Sequence, residues 1–303
     1  MDNSVIADYR CLTPMQTAGS GSARWCIAER SFERFFLKQF LSPVYPVRTD
    51  TSLGRMQLAR CREFEKRKQR LYAAASCVIG DVLVPVIDFF RADGHYYAVS
   101  EALPEAYSTG EYATVLSESE RMQILYELAV CLQRLHNQGI VHADLKPEHV
   151  LLIKTADQWQ TKLIDLDSSF LEDEPPSVGK EIEGDPAFLA PETFLRLTGQ
   201  PVKLSRALDT FSFGLLIHVL WTGRLPSFDR TKYHYIYEAA IDGAQIELEL
   251  PANWKPVIAE MLSADPTARP GDAEVASLFL PRREKCDKVQ NRNGLRKLMK
   301  SFI

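Results

Sequence analysis

His142-Ala143-Asp144-Leu145-Lys146-Pro147-Glu148-His149 leads into the apolar run Val150-Leu151-Leu152, and Asp165-Leu166-Asp167 closes the next β-rich run. A loop carboxylate, a lysine two residues on and another carboxylate after a short hairpin set a base, a phosphate clamp and a metal ligand toward one point. These are the groups that phosphoryl transfer needs, because in that reaction the protein chiefly positions the reactants and neutralises charge. The two short β runs, 150–153 and 162–164, stand in an otherwise helical half of the chain.

Upstream, residues 5–103 alternate β-rich runs with one helical stretch, the pattern of a small antiparallel sheet plus a single helix. Strands are predicted at 24–29, 35–40, 82–90 and 95–102, the last two joined by a turn at Asp93-Gly94. Residues 58–75, rich in Arg, Lys, Glu and Ala, prefer helix. Beyond Pro104 the apolar positions recur at helical spacing. Ser117 to Glu120 fits a capping box, after which Met122, Leu125, Leu128, Leu132 and Leu135 lay one apolar stripe on a core. Residues 211–220 are apolar on nearly every face and predict a buried helix. The fold class is therefore α+β in two lobes: sheet and helix over 1–103, a larger mainly helical lobe over 104–280, and a basic tail over 281–303.

The 303 residues are 46% hydrophobic and 25% charged, a globular composition that excludes a disordered, collagenous or coiled-coil chain. A net charge of -4 gives no global attraction to nucleic acid, so no nucleic-acid partner is expected. The six cysteines form no C-x-x-C pair and read as reduced thiols. No basic-then-apolar leader opens the sequence, and the best apolar run, 211–221, is about half a membrane span, which predicts no membrane insertion and a cytoplasmic location. The tail carries eight Lys and Arg against Glu284 and Asp287, with Leu295, Leu298 and Phe302 at helical spacing. Two readings of it stay open: docking on the acidic body or remaining mobile, and contact with an acidic partner or a membrane surface.

The stretch 142–149 resembles the H-R-D-x-K-x-x-N catalytic loop of the eukaryotic-type (Hanks-type) Ser/Thr protein kinase family, and Asp165-Leu166-Asp167 stands where that family has D-F-G. Phe36-Leu37-Lys38 is similar to its β3 lysine segment and Ala190-Pro191-Glu192 to its A-P-E. Asp209-Thr210-Phe211-Ser212-Phe213-Gly214 resembles the opening of its large buried helix, and Asp265-Pro266-Thr267-Ala268-Arg269-Pro270 its late arginine segment. Motifs in this order over so much of the chain are far more specific than any one alone.

The resemblance implies ATP and Mg2+ (Mn2+ as the second choice of cation), with transfer of the γ-phosphoryl to Ser or Thr of a protein substrate. Asp144 would take the substrate proton, Lys146 neutralise the moving phosphoryl and Asp165 hold the metal. Lys38 would pair the α- and β-phosphates, with a helix glutamate as its partner: Glu65 first, Glu63 second. Gly19 and Gly21 fall at the glycine-rich turn over the phosphates, and Glu101 to Leu103 at the purine-binding hinge. Ser100 leaves room behind the purine, opposed by the ring of Phe36. Asp209 and the pair Glu192–Arg269 take structural roles.

Departures from the family define what the structure must answer. Arg24 replaces a third glycine, and Ala143 replaces an arginine that would receive a phosphorylated activation segment. His149 replaces the asparagine that would hold a second Mg2+, for which imidazole is a poor ligand. Asp167 either supplies the missing oxygen ligand or is a solvated loop residue. Asp185, in place of a threonine, is expected to pair with Lys146. The set is similar to a bacterial branch of the family. Three functions stay in play: an active Ser/Thr kinase, a pseudokinase scaffold with weak or no nucleotide turnover, and a small-molecule or lipid kinase.

Overall fold

The computed structural model describes residues 4–280 apart from 19–20, 104–105, 114, 157 and 179–183. Gly19, the basic tail and the lobe limit at 104–105 lie outside the described residues.

Alternation builds the small lobe. In β4 (Ala23–Arg30) and β5 (Glu33–Phe40), paired antiparallel, Cys26, Ala28, Phe35 and Leu37 point to one face, and Ile27, Phe36 and Lys38 to the other. The first face continues onto Tyr9 and Cys11 of the neighbouring β2 (Tyr9–Cys11), which with β1 (Val5–Ile6) and β3 (Gln16–Thr17) precedes the predicted strands. The sheet runs β1-β2-β4-β5-β7-β6 with β3 also on β4, its far edge formed by β6 (Val86–Ala92) and β7 (His95–Glu101). Asp93 and Gly94 join these two strands with φ +49° and +78°, the left-handed pair that a two-residue hairpin requires.

Two boundaries differ from the sequence reading. The helix α1 (Ser52–Ala75) starts six residues early, because Thr51 accepts the Gly54 N–H at 3.0 Å and caps it. The strand expected at 82 starts at Val86: Pro85 has no N–H, and the residues before it cross to the larger lobe, where Val84 N–H donates to Leu163 O (2.9 Å) and Leu163 N–H to Val82 O (2.7 Å).

The larger lobe opens with β8 (Ala106–Ser108) and α2 (Thr109–Tyr112), neither of which the sequence reading contained. In α3 (Glu118–Asn137) the capping box is complete: Glu120 N–H donates to Ser117 Oγ and Ser117 N–H to Glu120 Oε2. β9 (Ile140–Val141) pairs with β12 (Phe170–Leu171), and between them β10 (Val150–Lys154) and β11 (Trp159–Leu163) form the predicted hairpin, with β8 added on the open side of β10. Then come α4 (Pro191–Leu197), α5 (Ala207–Thr222), α6 (Ile236–Ile241), α7 (Lys255–Met261) and α8 (Asp272–Ser277). Every residue of α5 from Leu208 to Leu220 is buried, as its all-round apolar sequence requires. No helix among the described residues is long and apolar enough to cross a membrane.

Candidate active site

Between the lobes lies a cleft of about 870 Å³, counted to its open mouth, walled by Ile27, Phe36, Val84, Leu151 and Ile164 and closed at one end by Ser100 to Leu103. Phe36 does not swing freely: its ring stacks on Trp25 at 5.2 Å between centroids. Gly21, at φ +72°, donates its N–H to Ala18 O in a tight turn just before β4.

The floor is set from below by Asp209 at the start of α5. Fully buried, it accepts the N–H of His142 (2.7 Å) and of Ala143 (2.8 Å) and bonds His136 Nε2 at 3.0 Å. Burial opposes the Asp209 charge, but these donors, His136 foremost, hold its carboxyl below the ordinary range. His136 bonds Asp272 on its other nitrogen (2.7 Å); burial pulls its pKa down, and the two carboxylates overcome this and push it up to about 9. His142 is buried beneath the loop, its Nε2 at 3.2 Å from Ile164 O. Glu192 and Arg269 form a buried, two-bond pair at 2.7 and 2.8 Å. Ala143 (φ +66°) and Asp165 (φ +68°) both adopt the left-handed backbone that side chains rarely take, strain of the kind that concentrates at functional sites.

On this floor Asp144 is fixed from two sides: Oδ2 accepts from Lys146 Nζ (3.0 Å) and Oδ1 from the Asp185 N–H (3.1 Å). The expected Asp185–Lys146 pair does not form, because the Asp185 carboxylate turns back to accept the Ala187 N–H at 2.8 Å. His149 bridges the two halves of the site. Its Nδ1 donates to Asp144 O (2.8 Å), and its Nε2 is 3.6 Å from Asp165 Oδ2.

Both carboxylates of Asp165-Leu166-Asp167 converge, as their spacing suggests, but on a lysine: Lys38 Nζ is 2.9 Å from Asp165 Oδ2 and 2.5 Å from Asp167 Oδ2. Burial would raise the Asp165 carboxyl; Lys38, then His149, hold it well below the carboxylate range instead. Burial likewise opposes the Lys38 charge, and Asp167 and Asp165 overcome it and push the ammonium up.

The helix glutamate is the main correction. Glu65 does not reach Lys38; its Oε1 accepts the Tyr96 hydroxyl at 2.8 Å, and Glu63 lines a separate surface groove with Arg60 and Arg67. In their place α1 turns Lys68 inward, with Nζ 2.9 Å from Asp167 O. Sequence reasoning missed it, although a signal existed: Cys61, Phe64, Lys68, Leu71, Tyr72 and Ala75 share one helical stripe, and Lys68 is its one charged member.

The family model of the protein kinase domain matches residues 65–278. Relatives include the serine/threonine-protein kinase pkn2 of Myxococcus xanthus, 28% identical over 69% of this chain and 25% of its own length. Serine/threonine-protein kinase kin-29 of Caenorhabditis briggsae is 31% identical over 62% of this chain and 22% of its own, and dkf-2 of the same organism is 38% identical over 37% and 9%. The chain thus spans a quarter or less of the length of these relatives. With the two-lobed fold, the matched family and the named relatives agreeing, the chain belongs to the protein kinase domain family.

Proposed function

We propose that this chain is an ATP-dependent Ser/Thr protein kinase that moves the γ-phosphoryl of ATP to a protein hydroxyl. The observation that carries this reading is the row Lys38, Asp165, His149, Asp144, Lys146, joined by contacts of 2.8 to 3.6 Å along the mouth of an apolar cleft. Apolar walls suit a purine, and the backbone from Glu101 to Leu103 offers its edge hydrogen-bonding groups. Lys38, at the inner end of the row, is placed to bind phosphate oxygens. Asp144, its two oxygens held by Lys146 and the Asp185 N–H, has a set direction from which to accept the proton of an incoming hydroxyl. Lys146 beside it brings positive charge to the transferring group.

The site's donors fit a divalent cation shared with the nucleotide rather than a protein cage. Magnesium takes one or two carboxylates and completes its shell with phosphate oxygens and water, and Asp165, with Asp167 next to it, meets that need. The His149 nitrogen does not, and among the described residues no cluster of three or more such side chains stands ready for a metal. When bound, the cation neutralises phosphate charge.

Incubation with labelled ATP, an unstructured acceptor such as casein, and Mg2+ or Mn2+ tests the reading. Label on Ser or Thr that disappears with Asp144→Ala is the expected result. Nucleotide binding without transfer under either metal would leave the scaffold reading in its place.

A further inference from the structure

Lys68 is buried, 4% exposed, at the point where α1 faces the cleft. The rings of Phe40, Phe64 and Tyr72 stand 5.2, 5.9 and 5.6 Å from its Nζ and close three sides. The fourth side is Asp167: Nζ donates to its carbonyl at 2.9 Å and lies 3.9 Å from its Oδ1. The other carboxylate oxygen, Oδ2, is the one against Lys38. One anion is therefore shared by two ammonium groups, one on the helix and one on the sheet.

We infer that Lys68 is a positioning residue for phosphate binding, tying α1 to the sheet through a Lys68–Asp167–Lys38 clamp whose acidic member sits after β11 instead of on the helix. Two lysines here balance two carboxylates, Asp165 and Asp167. With Lys68 removed, Lys38 alone faces both carboxylates, which hold it back from phosphate oxygens, and α1 loses its one polar tie to Asp167. The role given to Lys38 rests on the kinase reading above; the clamp itself does not.

The test is calorimetric titration with a non-hydrolysable ATP analogue in Mg2+, together with melting temperatures of the nucleotide-free proteins. Lys68→Met keeps an unbranched chain among the three rings, so the protein should fold and bind the analogue at least tenfold more weakly. Lys68→Glu sets three carboxylates around one lysine, and should lower the melting temperature and abolish binding. Adding Asp167→Asn to Lys68→Glu should bring the melting temperature back toward wild type, since the helix carboxylate then pairs with Lys38. Wild-type binding by Lys68→Met, or a double variant that melts no higher than Lys68→Glu, overturns the inference. If the wild-type protein binds no analogue, the kinase reading fails and the melting temperatures alone decide: rescue by Asp167→Asn upholds the clamp, and its absence overturns it.

Discussion

The two faces of the cleft hold their charges in different ways. On the floor, Asp209 is fully buried and takes donors from His142, Ala143 and His136, and the Glu192 and Arg269 side chains are 4% and 1% exposed and locked by two bonds. On the roof, Lys38, Lys68, Asp165 and Asp167 share partners, and three of the four open onto the cleft at 15 to 25% exposure. A buried ion with one set of partners cannot lose them without leaving a bare charge in a dry site, so its chemistry is fixed. A shared, partly wet cluster needs only its charges to balance, and the sign carried by each element can exchange. This is how a lysine can stand on α1 with the carboxylate on the neighbouring segment.

The largest effect that would break or sharpen this contrast is at Asp144. Asp144→Ala should lower phosphate transfer by about 10³-fold or more while the melting temperature stays within a few degrees, since Asp144 supports chemistry and not the core. Paired rate and melting measurements check this, and an unchanged rate would refute the assignment. Next is Asp209→Ala, which leaves two buried backbone N–H groups and the Nε2 of His136 without their acceptor; by urea denaturation it should cost about 3–5 kcal/mol. Asp167→Ala should cost clearly less, and equal losses would erase the distinction between floor and roof.

The third effect concerns pH. His136 goes from 6.5 unfolded to about 9 folded, so its contribution is fully present below pH 6.5 and lost as pH rises through 9. Stability should fall by up to roughly 3 kcal/mol across that window. His136→Gln should flatten the fall in a pH series of denaturation curves. The smallest effect is expected at Glu65, where Glu65→Gln keeps an acceptor for Tyr96 and should change nucleotide affinity by less than about twofold, within the usual range for a surface change. A tenfold loss would restore Glu65 as the partner of Lys38.

What the sequence made legible follows the same division. The structural roles of Asp209 and of the Glu192–Arg269 pair were legible through the resemblance of their motifs to the family's, taken in order along the chain. The capping box at Ser117 and the turn at Asp93-Gly94 were readable because backbone geometry demands those residue types. Lys68 was hidden by composition: α1 is so rich in Lys and Arg that only its place on the apolar stripe marks it, and a search for a glutamate passed over that stripe. Asp185 misled for a related reason, since an aspartate in a loop competes for nearby N–H groups and here found Ala187 before Lys146. The start of β6 failed where a strand-like sequence was claimed by a different sheet.

That last detail bears on how the molecule moves. The small lobe is fastened to the large one by the backbone bonds of Val82 and Val84 with Leu163, one residue before Ile164 of the cleft wall. Motion that varies the gap between Lys38 and Asp144 should therefore pivot near Leu163, because drawing the lobes apart there would break both hydrogen bonds. Amide protons of Val84 and Leu163 should accordingly exchange as slowly as those in the middle of β10, with nucleotide present or absent.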